Sequence, residues 1–201
     1  TITITTPFHV KLPSAEISRL GHLDQAYMMT QWYPKPAVFD ENGWNAMPYL
    51  NQGEFYSEFG SFDVSITLPK NYVLGATGDR IDDNKEEDKF IEDKFEETKA
   101  KIERLKRGGD LSFLDDMSFP ASDTNTKTLR FKQYNVHDFA WFADKRFIVK
   151  QDTLSLSSGR TISAYVYCTR TDSKAWQNAI QACKDAVIHY SKQIGEYPYK
   201  T

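Results

Sequence analysis

Hydrophobic and polar residues alternate with period two from Phe62 to Leu68. Phe62, Val64, Ile66 and Leu68 fall on one side, and Asp63, Ser65 and Thr67 on the other. That spacing predicts a strand with one buried face, closed by Pro69. YVLGATG follows as a second strand, and the Pro-Lys-Asn between them predicts a turn that pairs the two antiparallel. The texture is β from Thr1 to Gly78. The opening TITITTPFHVKLP also alternates, as a strand entered midway would, so the natural protein is expected to begin earlier.

The pattern changes over Ile81–Arg107, which is rich in Glu and Lys and is followed by Gly108-Gly109. Ile91, Phe95, Thr98, Ile102 and Leu105 recur at helical spacing, with acids crowding the first half and bases the last, as the helix dipole favours. Pairs such as Glu97 and Lys101 add a few tenths of a kcal/mol each. The stripe is too short for a stable coiled-coil arm, and the expectation is a solvated helix docking one face on a sheet.

After a polar loop, SFPASDTNTK, β texture resumes with TLRFKQYNVHDFAWFADKRFIV. TLSLSSGRTISAYVY then reads as a hairpin turning at Ser158-Gly159, with Leu154, Leu156, Ile162, Ala164 and Val166 alternating into a core. A last helix is predicted from an N-cap near Asp172. Trp176, Ala179, Ile180, Cys183, Val187, Tyr190 and Ile194 share its face, and Gly195 stands just past its end. The fold class expected is therefore mainly β, a β-rich α+β arrangement of antiparallel sheets with a charged helical insertion and a C-terminal hairpin plus helix.

Composition narrows the function. The chain of 201 residues has acids exceeding bases by only three, so charge recruits neither nucleic acid nor an anionic membrane, and no apolar run nears the roughly 20 residues of a membrane span. Cys168 and Cys183 are too few and too isolated for a disulfide framework and read as free thiols. The histidines, His9, His22, His137 and His189, include no Glu-x-x-His pair for zinc. Asp138 could orient the His137 ring, although a strand-end hydrogen bond is the plainer account. Glu54 and Glu58 form a possible carboxylate pair, but as turn and surface residues they lack a pocket to separate their pKa values. Residue chemistry alone completes no active site.

One stretch stands out. TQWYPKPAVFDENGW, Thr30 to Trp44, mounts Trp32, Tyr33 and Trp44 on backbone stiffened by Pro34 and Pro36, which suits either the wall of a cleft or a cap on a sheet. This run resembles the signature of the N-terminal β domain in the aminopeptidase N family of zinc metallopeptidases. SRLGH before it, MPYLNQGEFYSEFGSFDVSITLPKNYVLGATG after it, and DFAWFADKRFIVKQDTLSLSSGRTISAYVY with a helix and YPY beyond are similar to the bacterial branch of that family, in the family's order. Only the charged helix falls outside the resemblance.

The resemblance implies an N-terminal β domain over residues 1–144, carrying the charged insertion at 81–108, and the beginning of a thermolysin-like catalytic domain over 145–201. It implies zinc in the parent enzyme, held by H-E-x-x-H and a downstream Glu, with the motif Glu as general base and a tyrosine on the oxyanion. Those parts, and the Gly-x-Met-x-Asn substrate loop, are expected beyond Thr201, so these residues are expected to bind no metal and to be inactive alone. Gln31 matches the family's Gln, and Tyr33 stands where an acid or amide often meets the substrate's α-amine. Both are expected in the wall of a peptide cleft shared with the rest of the catalytic domain. A bacterial parent of this type is expected in the periplasm. The reading from another class is a stand-alone β-rich module that binds peptides or carbohydrates without catalysis.

Overall fold

The computed structural model describes residues 2–15, 20–48, 50, 53, 55–108, 118–169, 176 and 178–201. Eleven strands and two helices follow one another among them. β1 (Leu20–Leu23), β2 (Ala26–Met29), β3 (Val38–Asp40) and β4 (Gly43–Asn45) come first, then β5 (Gly60–Pro69), β6 (Val73–Ala76) and β7 (Asp79–Arg80). α1 (Lys85–Lys106) is succeeded by β8 (Thr126–Val136), β9 (Trp141–Asp144), β10 (Ile148–Ser155), β11 (Thr161–Cys168) and α2 (Ala179–Gln193). The fold is mainly β, and every strand pairing is antiparallel.

Two sheets enclose the main core. One runs β1-β2-β9-β6 and the other β5-β8-β7. The inward residues of β5 and β8, Ile66, Leu68, Leu129 and Phe131, meet Leu74 of β6 and Ala143 of β9, with Tyr72 and Phe139 sealing the centre. Full burial of each large side chain contributes about 1.5–3 kcal/mol.

The predicted pairing of Phe62–Leu68 with YVLGATG does not form. β5 pairs with β8, from Gly60↔Val136 to Pro69↔Thr126, while β6 pairs with β9. The short turn after Pro69, in which Tyr72 N–H donates to Pro69 O at 3.2 Å, carries the chain across the corner from one sheet to the other. The connection from Val136 to Trp141 makes the crossing at the opposite end of the β5–β8 pair, beside the passage from β6 to β7, where Thr77 N–H donates to Ala140 O at 2.9 Å. A glycine is required where that passage runs against β8. Gly78 has φ +90°, and a Cβ there would lie 2.6 Å from the Lys132 carbonyl oxygen.

The opening TITITTPFHVKLP is also no strand over its described part, residues 2–13. It joins no ladder among the described residues, and its end is tied to β1 where His22 N–H donates to Pro13 O at 3.0 Å beside the bridge between Ser14 and His22.

The hairpin forms as its alternation predicts. β10 pairs with β11 from Ile148↔Cys168 to Ser155↔Thr161, turning through Ser158 and Gly159, whose φ of +87° suits glycine. Leu154, Leu156 and Ile162 form a second core cluster with Val187, Ile188 and Tyr197. Tyr167 lays its ring on β6, where a Cβ on Gly75 would stand 3.0 Å from it. α1 docks on β10, with Thr98 buried and Ile91, Phe95 and Ile102 half-buried. The side chain of Leu105, the last residue of that stripe, lies outside the described residues.

α2 departs from its predicted face. Asp172 lies outside the described residues, and Asn178 precedes the helix without a side-chain cap. Ile188 packs on the hairpin, whereas Tyr190 and Ile194 point to solvent. The helix does end before Gly195, with Ile194 N–H donating to Tyr190 O at 2.9 Å.

Candidate functional site

The segment after β2 leaves the sheet at Met29 and runs over the corner where β8 gives way to β9. Pro34 and Pro36 fix φ at two positions and remove two backbone donors, so side chains must hold it down. They converge on one carboxylate. Asp138 Oδ2 accepts from Gln31 Nε2 at 2.8 Å and from Lys35 Nζ at 2.6 Å. Its Oδ1 accepts from Tyr33 Oη at 3.0 Å and from the Phe139 backbone N–H at 2.8 Å. Next to it, Trp32 Nε1–H donates to Phe139 O at 2.9 Å.

Four donors fill the lone-pair sites a carboxylate offers, so Asp138 has little capacity left to serve as a base. It does not orient His137. That ring is exposed and stands edge-on to Phe59 at 5.9 Å. The aromatic rings interlock instead around Tyr33, which meets Trp32 at 5.2 Å and Phe62 at 5.6 Å, both edge to face. The Lys35 ammonium lies 5.5 Å from the centre of the Tyr33 ring and 5.6 Å from that of Phe55, within cation–π range.

The structure thus brings the two sequence-predicted residues, Gln31 and Tyr33, onto one anchor. Lys35 and Asp138 were missed as members, since Asp138 reaches them across more than a hundred residues of chain. Tyr33 spends its O–H on Asp138 and Gln31 one of its two amide N–H donors, so Tyr33 offers a ligand an accepting oxygen and Gln31 offers both an accepting oxygen and its second N–H. Gln31 Oε1 and Tyr33 Oη suit a donor such as an ammonium.

Trp44 is elsewhere. It pairs across β3 and β4 with Phe39, centroids 5.0 Å apart, and both rings are exposed, at 72% for Trp44 and 64% for Phe39. Glu58 is exposed, and Glu54 lies outside the described residues.

Burial, and after it the Asp138 charge, holds the Tyr33 phenol well above its ordinary value of 10.0. Tyr167, desolvated against the sheet, is pushed up to about 12. A folded value above the unfolded one adds stability that is complete below pH 10 and drains away as pH climbs past it. Spectrophotometric titration should therefore find these two phenols still un-ionised at about pH 11 in the folded chain, and Tyr33→Phe should lessen the alkaline loss of stability. Phenolate absorbance from all tyrosines rising together near their ordinary value would contradict this.

Among the described residues no group of three or more His, Cys, Asp or Glu side chains gathers to hold a metal ion. Neither Cys168 nor Cys183 is joined in a disulfide. Among those residues no helix is long and apolar enough to cross a membrane. Comparison with protein-family models, with curated proteins and with solved structures returns no match.

Proposed function

We propose that this chain serves as one wall of the substrate cleft in a zinc metallopeptidase of the aminopeptidase N type, which removes N-terminal residues from peptides. The zinc belongs to polypeptide other than these residues, and the contribution here is binding and orientation. The supporting observation is the polarity of the Gln31–Tyr33 pair. With the Tyr33 O–H and one Gln31 N–H committed to Asp138, Tyr33 Oη and Gln31 Oε1 remain as acceptors, as recognition of a peptide's free α-ammonium requires. The sequence blocks that resemble the family, and the β-rich fold they form, agree with this assignment.

The test uses the full peptidase. Gln31→Ala and Tyr33→Phe should each lower the ratio of kcat/KM for peptides with a free N-terminus over N-acetylated ones by about tenfold, the size of one lost hydrogen bond to a charged group. Thermal melts run in parallel separate this from loss of the loop's anchor. An unchanged ratio in a folded enzyme removes both residues from the site.

A non-catalytic module that binds peptides or carbohydrates is the second reading, and the exposed Phe39–Trp44 pair favours it, since such rings stack on flat apolar ligand faces. A change in Trp44 fluorescence on adding oligosaccharide, in a protein without peptidase activity, would select it.

A further inference from the structure

The hydrogen-bond direction along β11 singles out an edge that has no use in the fold described so far. Leu156 N–H donates to Arg160 O at 2.8 Å, which puts the even-numbered residues of β11 in the ladder with β10. The odd-numbered residues Ser163, Tyr165 and Tyr167 therefore turn both N–H and C=O outward.

The first of these outward donors is engaged. Ser163 N–H donates to Lys200 O at 2.9 Å. The outward N–H and C=O of Tyr165 and Tyr167 have no backbone partner among the described residues.

The tail advances in the same direction as β11. The Arg160 guanidinium donates to the carbonyls of Tyr197 and Pro198, and three residues further along β11 the partner is Lys200. Between the two lies α2, packed on β10 and β11. Strand, helix and a return alongside the first strand make the parallel crossover unit. In a parallel ladder the next rungs fall two residues on, so the following acceptor would meet Tyr165 N–H and the one after it Tyr167 N–H.

Space is available where those rungs would form. A cleft of 1220 Å3 runs along Ser163, Tyr165 and Tyr167 and is faced across by Leu74 and Phe131. A strand needs a seat about 4.8 Å from its neighbour. Of the charges bordering the cleft, Arg80 pairs with Asp82 and Asp88, Glu87 with Lys127, and Asp79 with Lys200 at 3.6 Å, whereas the exposed Glu92 has no ion pair among the described residues.

We infer that the open edge of β11 is a strand acceptor, taking one further strand parallel to β11 and in line with Lys200, supplied by polypeptide joined to Thr201. A joined strand is favoured over a free peptide or a second copy because Lys200 already occupies the first rung in register, so the rest bind at high effective concentration. This goes beyond the peptidase reading and stands or falls separately from it, since exchange at two amides, not hydrolysis, reports the outcome.

The experiment appends Val-Thr-Val-Thr-Val to Thr201 and follows backbone amide exchange. Tyr165 and Tyr167 should exchange about tenfold or more slowly than in the chain without the extension, while Ser163 is protected in both. The same extension with proline at its first and third positions removes the donors that the Ser163 and Tyr165 carbonyls need and should abolish the gain. Equal exchange at Tyr165 and Tyr167 with and without the extension overturns the inference. So does protection of those amides that grows with protein concentration, because a second copy would then be the occupant.

Discussion

Glu87→Leu should lower the stability of the folded chain by about 3–5 kcal/mol, whereas Glu87→Leu combined with Lys127→Met should leave it unchanged or raise it by about 1–4 kcal/mol. The two side chains form an ion pair of 2.5 Å with only 3% and 5% of their surfaces exposed. Glu87 comes from the first turn of α1, where its N–H is capped by Asn84 Oδ1 at 3.1 Å. Lys127 occupies an inward position of β8 and lies 4.2 Å from the centre of the Phe90 ring. Burial raises the Glu87 pKa and lowers that of Lys127, in each case against the pull of the partner. Both directions say that the site disfavours charge.

The sign for stability follows. Glu87, with its folded value raised, contributes most below 4.5 and loses that contribution as pH rises. Lys127, with its folded value lowered, gains on approach to 10.5. Between those limits the chain holds two desolvated charges whose attraction offsets their dehydration only in part. Removing one strands the other, and removing both removes the burden. Urea denaturation near neutral pH of the two single variants and the double variant checks this. Additive losses in the double variant would mean that the two side chains stabilise the fold independently, without the coupling argued for the pair.

How far such features could be read from sequence depends on what periodicity reports. The alternation of Phe62 to Leu68 found β5 because burial of one face is a local property, and the Ser158-Gly159 signal found the β10–β11 turn because a two-strand hairpin is closed by adjacent residues. Partner choice is not local. β5 was matched to its neighbour in sequence, yet it pairs with β8, and the turn after Pro69 is a corner between sheets. TITITT alternates with no strand beside it among the described residues, and without a ladder the pattern has nothing to stabilise. A signal for Lys127 was present: in TKTLRF it shares the inward phase with Leu129 and Phe131, which marks a buried cation in need of a partner. Gln31 and Tyr33 were visible through their motif. Asp138 was visible only as the neighbour of His137, because nothing local links it to a loop more than a hundred residues away.

That link sets the expectation for Asp138→Ala, a loss of about 2–4 kcal/mol concentrated in the loop from Gln31 to Pro36. The carboxylate accepts from three side chains and one backbone N–H, and its removal leaves the Lys35 ammonium, 18% exposed, without a counter-charge. The figure stays below that of a fully buried pair because solvent reaches both partners and Lys35 can swing out to it. Asp138→Asn should lose less, retaining one acceptor oxygen but presenting an amide donor to groups that themselves donate. The backbone argues for a local effect first, since Pro34 and Pro36 contribute no N–H and Trp32 would hold the loop by its single bond to Phe139 O. Denaturant melts read the total, and Trp32 emission together with amide exchange over the non-proline residues from Gln31 to Lys35 reads the loop. If Asp138→Ala melts within a few tenths of a kcal/mol of the parent and those amides keep their protection, packing of Trp32 on Tyr33 and of Tyr33 on Phe62 holds the wall without the carboxylate. The acceptor polarity of Gln31 and Tyr33 would then have no fixed cause, and the ammonium-binding role proposed for them would lose its structural basis.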